Sequence, residues 1–396
     1  MGTKRLLAAA TTAAVLALAG CSSGGSEASS SGGAGGGSTD GVKIAEQRVA
    51  DFTAHSEPMP ITEPVALPSK PMTFVFMQCV QVVCVEIGDG LQQAADAIGA
   101  KLVRITHQDT PETVQQAAVN ALQQNPTAVF FSGDPTEWFS AQLDEMKAKG
   151  IPVVGWSLDG GFTPDKVSAN LLNQDDYYFI GVLEADWVVA KTGGKGTSLL
   201  LNVPSYPVLA TAGKGYTEEM KRICPDCKVE TADFTVDDIV SGNVATAAVA
   251  ALQRAPDTKY IVGTFGGLIS QQLAQAVSGA GFTDVKAISA SGTAANYQLI
   301  KDGELQEADL ALPSAYLAWR TIDVTLRLLA GQDTNQSASK PASADIDGHP
   351  DLRAGGVPQE FITKDQISGD VTSVDQLWSP VENFQDAFKK LWGVTS

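Results

Sequence analysis

Four cysteines fall in two close pairs, Cys79 with Cys84 and Cys224 with Cys227. Thiols at such spacings can close disulfides, hold a metal or cycle between redox states. Cys224-Pro225-Asp226-Cys227 has the two-residue gap of a zinc knuckle, but a lone pair without a second is a weak metal motif. The same run lacks the context of a thioredoxin-type redox site. Four cysteines allow three connectivities, and nearness in sequence favours disulfides Cys79–Cys84 and Cys224–Cys227. The metal and redox readings stand beside that one. Other chemistry is sparse. The three histidines, His55, His107 and His349, are not spaced for metal, and no Gly-x-Ser-x-Gly elbow occurs. Gly193-Gly194-Lys195-Gly196-Thr197 has glycines like a phosphate loop but precedes a strand, so it reads as a turn. No pair of carboxylates sits in a context marking it as acid and base. The expectation is a binding protein, with no catalytic residue, metal or cofactor.

The elements that would position these residues alternate strand with helix. Thr73 to Cys79 is apolar and β-rich, and Gly88 to Gly99 carries Leu91, Ala94, Ala95 and Ile98 at helical spacing. Strands are expected at 101–106, 127–131 and 151–156, with helices at 111–124 and 135–149 between them. The pattern repeats with helices at 177–191, 209–223, 240–254, 268–279 and 294–301 and strands at 198–203, 228–234, 259–264, 285–290 and 305–310. A helix at 316–329 and a polar loop at 332–358 precede the last elements. Strand–helix alternation of this kind predicts parallel sheets covered on both faces, here as two doubly wound α/β lobes.

At the amino end Lys4 and Arg5 precede an apolar run, Leu6 to Ala19, too short to span a bilayer comfortably. Leu18-Ala19-Gly20-Cys21 resembles the bacterial lipobox, whose cysteine becomes the lipidated first residue of the mature chain; the other reading is an ordinary secretory signal. Gly, Ser and Ala dominate from Ser22 to Thr39, the composition of a flexible tether. Acyl chains contribute ~0.8 kcal/mol per buried CH₂, so the membrane is reached through a lipid at Cys21, on the extracytoplasmic face. Residues 42–54 read as an amphipathic helix, and Pro58, Pro60, Pro64, Pro68 and Pro71 as an extended arm unable to form a central strand. The remainder of the 396 residues suffices for two lobes. A net charge of −18 opposes nucleic-acid binding.

Lipobox, tether and two βα lobes in this order resemble the type I periplasmic solute-binding proteins, the ribose-binding branch especially. The residues are Gly150-Ile151-Pro152-Val153-Val154, Gly193-Gly194-Lys195-Gly196, Ala280-Gly281-Phe282, Ile300-Lys301-Asp302-Gly303-Glu304-Leu305 and Leu328-Leu329-Ala330-Gly331. The paired cysteines behind a Pro-rich arm are similar to an actinobacterial subgroup of these lipoproteins. The resemblance implies lobe one from 72–170 plus 312–358 and lobe two from 171–311 plus 359–396. A three-stranded hinge would join them, crossing near 168–173, 310–314 and 355–362. It further implies a monomer that gives a small molecule to an ABC permease. A signalling receptor or an enzyme on the same fold are the alternatives.

Open α/β sheets bind ligands outside the carboxyl ends of their strands. That rule nominates Gln78 and Cys79 after the first strand, Trp156 and Asp159 after the fourth, and Trp138 near the third helix. From the second half it nominates Asn202, Ser205, Tyr206, Phe265, Ser291 and Thr293. The family's Asp-Arg is replaced by Trp156-Ser157-Leu158-Asp159, its Asn-Asp by Phe265-Gly266-Gly267, and its Gly-Phe-Asp-Gly by Ser289-Ala290-Ser291-Gly292-Thr293. Charged partners are lost and aromatics gained. The expected ligand is therefore less polar than a free pentose, or a sugar held by stacking and backbone groups.

Overall fold

A computed structural model describes residues 37–158, 166–334, 356–372 and 374–394. Cys21, residues 1–20, most of the tether and Asp159 lie outside these. No helix among the described residues is long and apolar enough to cross a membrane.

The first sheet contains β1 (Thr73–Gln78), β2 (Lys101–Thr106), β3 (Ala128–Ser132), β4 (Val153–Trp156) and β5 (Ala169–Asn170), in the order β2-β1-β3-β4-β5. All its pairings are parallel. Phe74, Val75, Phe76 and Met77 of β1 are buried, as a strand covered on both faces requires. Its helices are α2 (Val82–Ala97), α3 (Pro111–Gln123) and α4 (Ser140–Ala148). Thr110 accepts from the Thr113 backbone N–H and Pro111 opens α3, so that helix starts where the sequence predicts.

The second sheet follows α5 (Gln174–Thr192). It comprises β6 (Thr197–Asn202), β7 (Lys228–Asp233), β8 (Thr258–Gly263), β9 (Lys286–Ala290), β10 (Gln306–Ala311) and β11 (Glu360–Thr363), ordered β11-β10-β9-β8-β6-β7. Only β11 runs antiparallel, against β10. Its helices are α6 (Pro207–Ile223), α7 (Val236–Ser241), α8 (Asn243–Arg254), α9 (Gln271–Gly279) and α10 (Ala294–Asp302). The single helix expected at 240–254 is two, because Gly242 takes a left-handed conformation (φ 76°) that ends α7 before α8 begins. Helices α5 and α6 cross backbone to backbone: a Cβ on Gly181 would lie 1.9 Å from the Ala212 carbonyl oxygen.

The chain passes from the first sheet to α5 after Leu172, and returns through Leu312 and Pro313 to α11 (Ser314–Ala330), which packs on α2. It passes over again to β11. The tail differs from the expected division, which placed everything after 359 in lobe two. After β11, α12 (Phe384–Leu391) returns to α11, with the Tyr316 and Phe384 rings 5.6 Å apart and Trp319 stacked on Trp392 at 5.4 Å.

The arm is part of the folded body rather than a prelude ending at Pro71. Helix α1 (Gly37–Asp51) docks on α5 and α6, and Arg48 places Nη1 2.6 Å from Glu219 and 3.2 Å from Asp186, all buried. Phe52 meets Phe179 edge-on at 5.4 Å. Thr53 bridges to Phe361, and further along Arg327 donates to the Glu63 carbonyl at 2.7 Å. Ile61 and Val65 are buried. Prolines kept the arm from being a strand, but it still packs on elements of both lobes, α5 and β11 on one side and α11 on the other.

Candidate functional site

Both sheets aim their carboxyl ends at one cavity of about 110 Å³. The first lobe lines it from four strand ends: Cys79 and the Cys79–Cys84 disulfide after β1, Asp109 after β2, Asp134 after β3, and Trp156 with Ser157 at β4. The second lobe supplies Val203 and Tyr206 after β6, Thr264 and Phe265 after β8, and Ser291 after β9. Tyr177 and Leu312 close it where the chain changes lobes.

Trp156 is buried against Phe76, ring centroids 5.4 Å apart, and lines the cavity. Its Nε1–H has no hydrogen-bond partner, nor has Thr264 Oγ1. Buried polar groups left unpaired are costly, so such groups in a cleft are ready to meet a ligand. Ser157 and Tyr177 share a 2.7 Å hydrogen bond between the first lobe and the first turn of α5. Burial, opposed by the Ser157 bond, raises the Tyr177 phenol to about 12.

His107, Asp109 and Asp134 meet beside the cavity with donor atoms within 4.8 Å of one another. The imidazole Nδ1 lies 3.2 Å from Asp109 and Nε2 lies 3.3 Å from Asp134, in contacts bent away from hydrogen-bond geometry. The Asp109 backbone N–H also lies 3.3 Å from Nδ1. A neutral ring would accept that N–H, whereas carboxylates on both nitrogens favour the charged ring. Burial pulls the His107 pKa down, but Asp109 and Asp134 overcome it and hold the group at about 9. Burial pushes Asp134 up against the pull of His107. One imidazole and two carboxylates are donors a divalent metal accepts, but the ring already serves as the carboxylates' counter-charge. Across the cleft burial raises the Tyr206 phenol, reinforced by the charges of Asp109 and Asp134.

Of the residues nominated from sequence, Cys79, Trp156, Tyr206, Phe265 and Ser291 come together on this cavity. Others do not. Gln78 turns toward α2 and accepts from Arg104 Nε at 2.6 Å, because adjacent residues leave a strand on opposite sides. Trp138, on a single 3₁₀ turn, packs on the first lobe's own core. Asn202 donates to Asp233 at 3.0 Å, and Ser205 is exposed. Thr293 caps α10 with Asn296 rather than facing the cavity. Asp159 lies outside the described residues. Sequence reasoning passed over Asp109, Asp134 and Tyr177. The signal for the two aspartates was present, since each follows a parallel strand of the first lobe, near the level at which Trp156 ends β4. The disulfides are Cys79–Cys84 and Cys224–Cys227.

Comparison with known proteins agrees with this geometry. A family model described as periplasmic binding protein domain matches residues 79–333, more than half of the chain. Among solved structures, a solute-binding protein of an ABC transporter from Agrobacterium vitis, bound with alpha-D-tagatopyranose, is similar at a TM-score of 0.62 and 18% identity, covering 78% of this chain and 100% of that one. The 5-methylthioribose transporter solute-binding protein from Thermotoga lettingae gives 0.62 and 17%, covering 80% and 98%. A putative LacI transcriptional regulator from Bacteroides fragilis gives 0.59 and 13%, covering 75% and 98%. At these identities the likeness shows the fold alone. No curated protein matches the chain.

Proposed function

Because the chain belongs to the periplasmic binding protein family, we propose that it is an extracytoplasmic solute receptor that captures one small molecule between its lobes and passes it to an ABC importer. The observation that carries this reading is the cavity at the facing strand ends, where Trp156 and Thr264, from opposite lobes, hold buried polar atoms without partners. Lobe closure on a ligand changes the surface that a permease meets. A lipid at Cys21, following the signal at 1–20, would keep the receptor at the membrane within reach of the permease. Among the described residues of the cavity wall none pairs a nucleophile with a base, which supports binding over turnover. The ligand is small, with donors for Asp109 and Asp134, an acceptor for the Trp156 Nε1–H, and an apolar or aromatic body suited to Trp156, Tyr206 and Phe265.

Mass spectrometry of small molecules released by denaturing the purified chain tests the reading. One compound in near-stoichiometric amount, recovered unchanged, is the expected result. Release of a chemically altered product would favour an enzyme instead.

A further inference from the structure

Resting on the receptor reading, we infer that the ligand is a cation: an ammonium or similar group on a small apolar or aromatic body. The charged lining of the cavity is one-sided. Asp109 and Asp134 face it, and among the described residues no lysine or arginine does. Residues 159–165, between β4 and β5, read Asp-Gly-Gly-Phe-Thr-Pro-Asp and contain no basic residue. The next residue, Lys166, is taken by Asp144 at 2.8 Å.

The two carboxylates are poorly served by the protein. Their side chains are 4% and 3% exposed, and both Asp109 oxygens and Asp134 Oδ2 lack a hydrogen-bond partner. His107 brings at most one positive charge to two negative ones. With both carboxylates ionised, one negative charge stays uncompensated beside a largely apolar cavity; burial already presses Asp134 toward its neutral form, and a bound cation would reverse that. A buried charge without an opposite partner is costly, and an anionic ligand would worsen it. A neutral polyol would hydrogen-bond the carboxylates but leave the charge standing. An ammonium supplies both the charge and up to three donors. The rings of Trp156, Tyr206 and Phe265 on the cavity wall suit its surroundings, since aromatic rings attract cations.

The test uses the full chain, stripped of bound molecules, and low-mass cell extract separated by ion exchange into cationic, neutral and anionic fractions. Each fraction is added and the rise in Tm recorded. The expected result is stabilisation by the cationic fraction, with the active compound binding Asp134→Asn and Asp109→Asn at least tenfold more weakly. Circular dichroism and the Tm without ligand establish that each variant folds. Stabilisation by the neutral or anionic fraction overturns the cation while leaving the receptor intact. So does undiminished binding to a folded Asp134→Asn. No stabilisation by any fraction counts against the receptor reading itself, and the cation falls with it.

Discussion

Ser157, in the loop after β4, and Tyr177, in the first turn of α5, share a 2.7 Å hydrogen bond that joins the two lobes at the cavity wall. Ser157 sits at φ 60°, so the turn that presents its hydroxyl is held in a conformation non-glycine residues seldom adopt. Tyr177→Phe should keep the ring and lose this tie. A neutral hydrogen bond is worth ~1 kcal/mol, so ligand affinity should fall about fivefold, chiefly through faster dissociation in stopped-flow measurements. An unchanged dissociation rate would show that the bond does not help hold the lobes together.

The two disulfides should separate stability from binding. Cys79–Cys84 forms part of the cavity wall, whereas Cys224–Cys227 begins at the carboxyl end of α6 and does not line the cavity. Replacing either pair with serine should lower the Tm, short loops contributing roughly 2–3 kcal/mol each. Only the Cys79/Cys84 pair should also weaken ligand binding in calorimetry.

His107 makes stability depend on pH. Its folded pKa, about 9, lies above the ordinary value of 6.5. The ion pairs with Asp109 and Asp134 thus contribute fully below pH 6.5 and are lost as pH rises through 9. Glu86, raised to about 7 by burial and then by Asp375 and Asp89, loses stability in the same direction at lower pH. The Tm of the wild type should drop between pH 7.5 and 9.5, and His107→Gln should flatten that part of the curve while leaving the Glu86 part.

Arg48 holds α1 on the second lobe through Asp186 and Glu219. Glu219 keeps a second partner in Arg222, but Asp186 is fully buried and its carboxyl is already pushed up by burial against the pull of Arg48. Arg48→Met should cost about 1–3 kcal/mol in urea denaturation, because it leaves the buried carboxyl oxygens of Asp186 without their donor. Arg48→Met with Asp186→Asn should recover much of that loss. Equal losses in both variants would assign the effect to packing.

Much of this fold was legible because strands such as β1, β3, β6 and β8 are apolar runs bounded by turn residues, whereas the polar edge strand β7, Lys-Val-Glu-Thr-Ala-Asp, was legible only from its place between two helices. Strand β5 is only Ala169–Asn170, too short to leave a pattern. The break at Gly242 hid inside a continuous helical period. The docking of the arm depends on partners such as Arg327, far away in sequence. For the site, the strand-end rule found Trp156, Tyr206, Phe265 and Ser291 but could not say which side Gln78 or Asn202 would face. Asp109 and Asp134 stood at strand ends too. What marks them is burial beside His107, and that exists only after folding.

If the gap between the lobes holds a solute, returning the molecules released from it must restore the stability that stripping removes. Thermal unfolding is recorded for the chain as purified, after stripping by unfolding and refolding, and after return of the released small molecules. Stripping should lower the Tm and add-back should restore it, with ~2.7 kcal/mol regained at a hundredfold excess over Kd. Phe265→Ala should recover far less. A stripped chain with an unchanged Tm, or equal recovery by Phe265→Ala, would contradict a solute held in the gap.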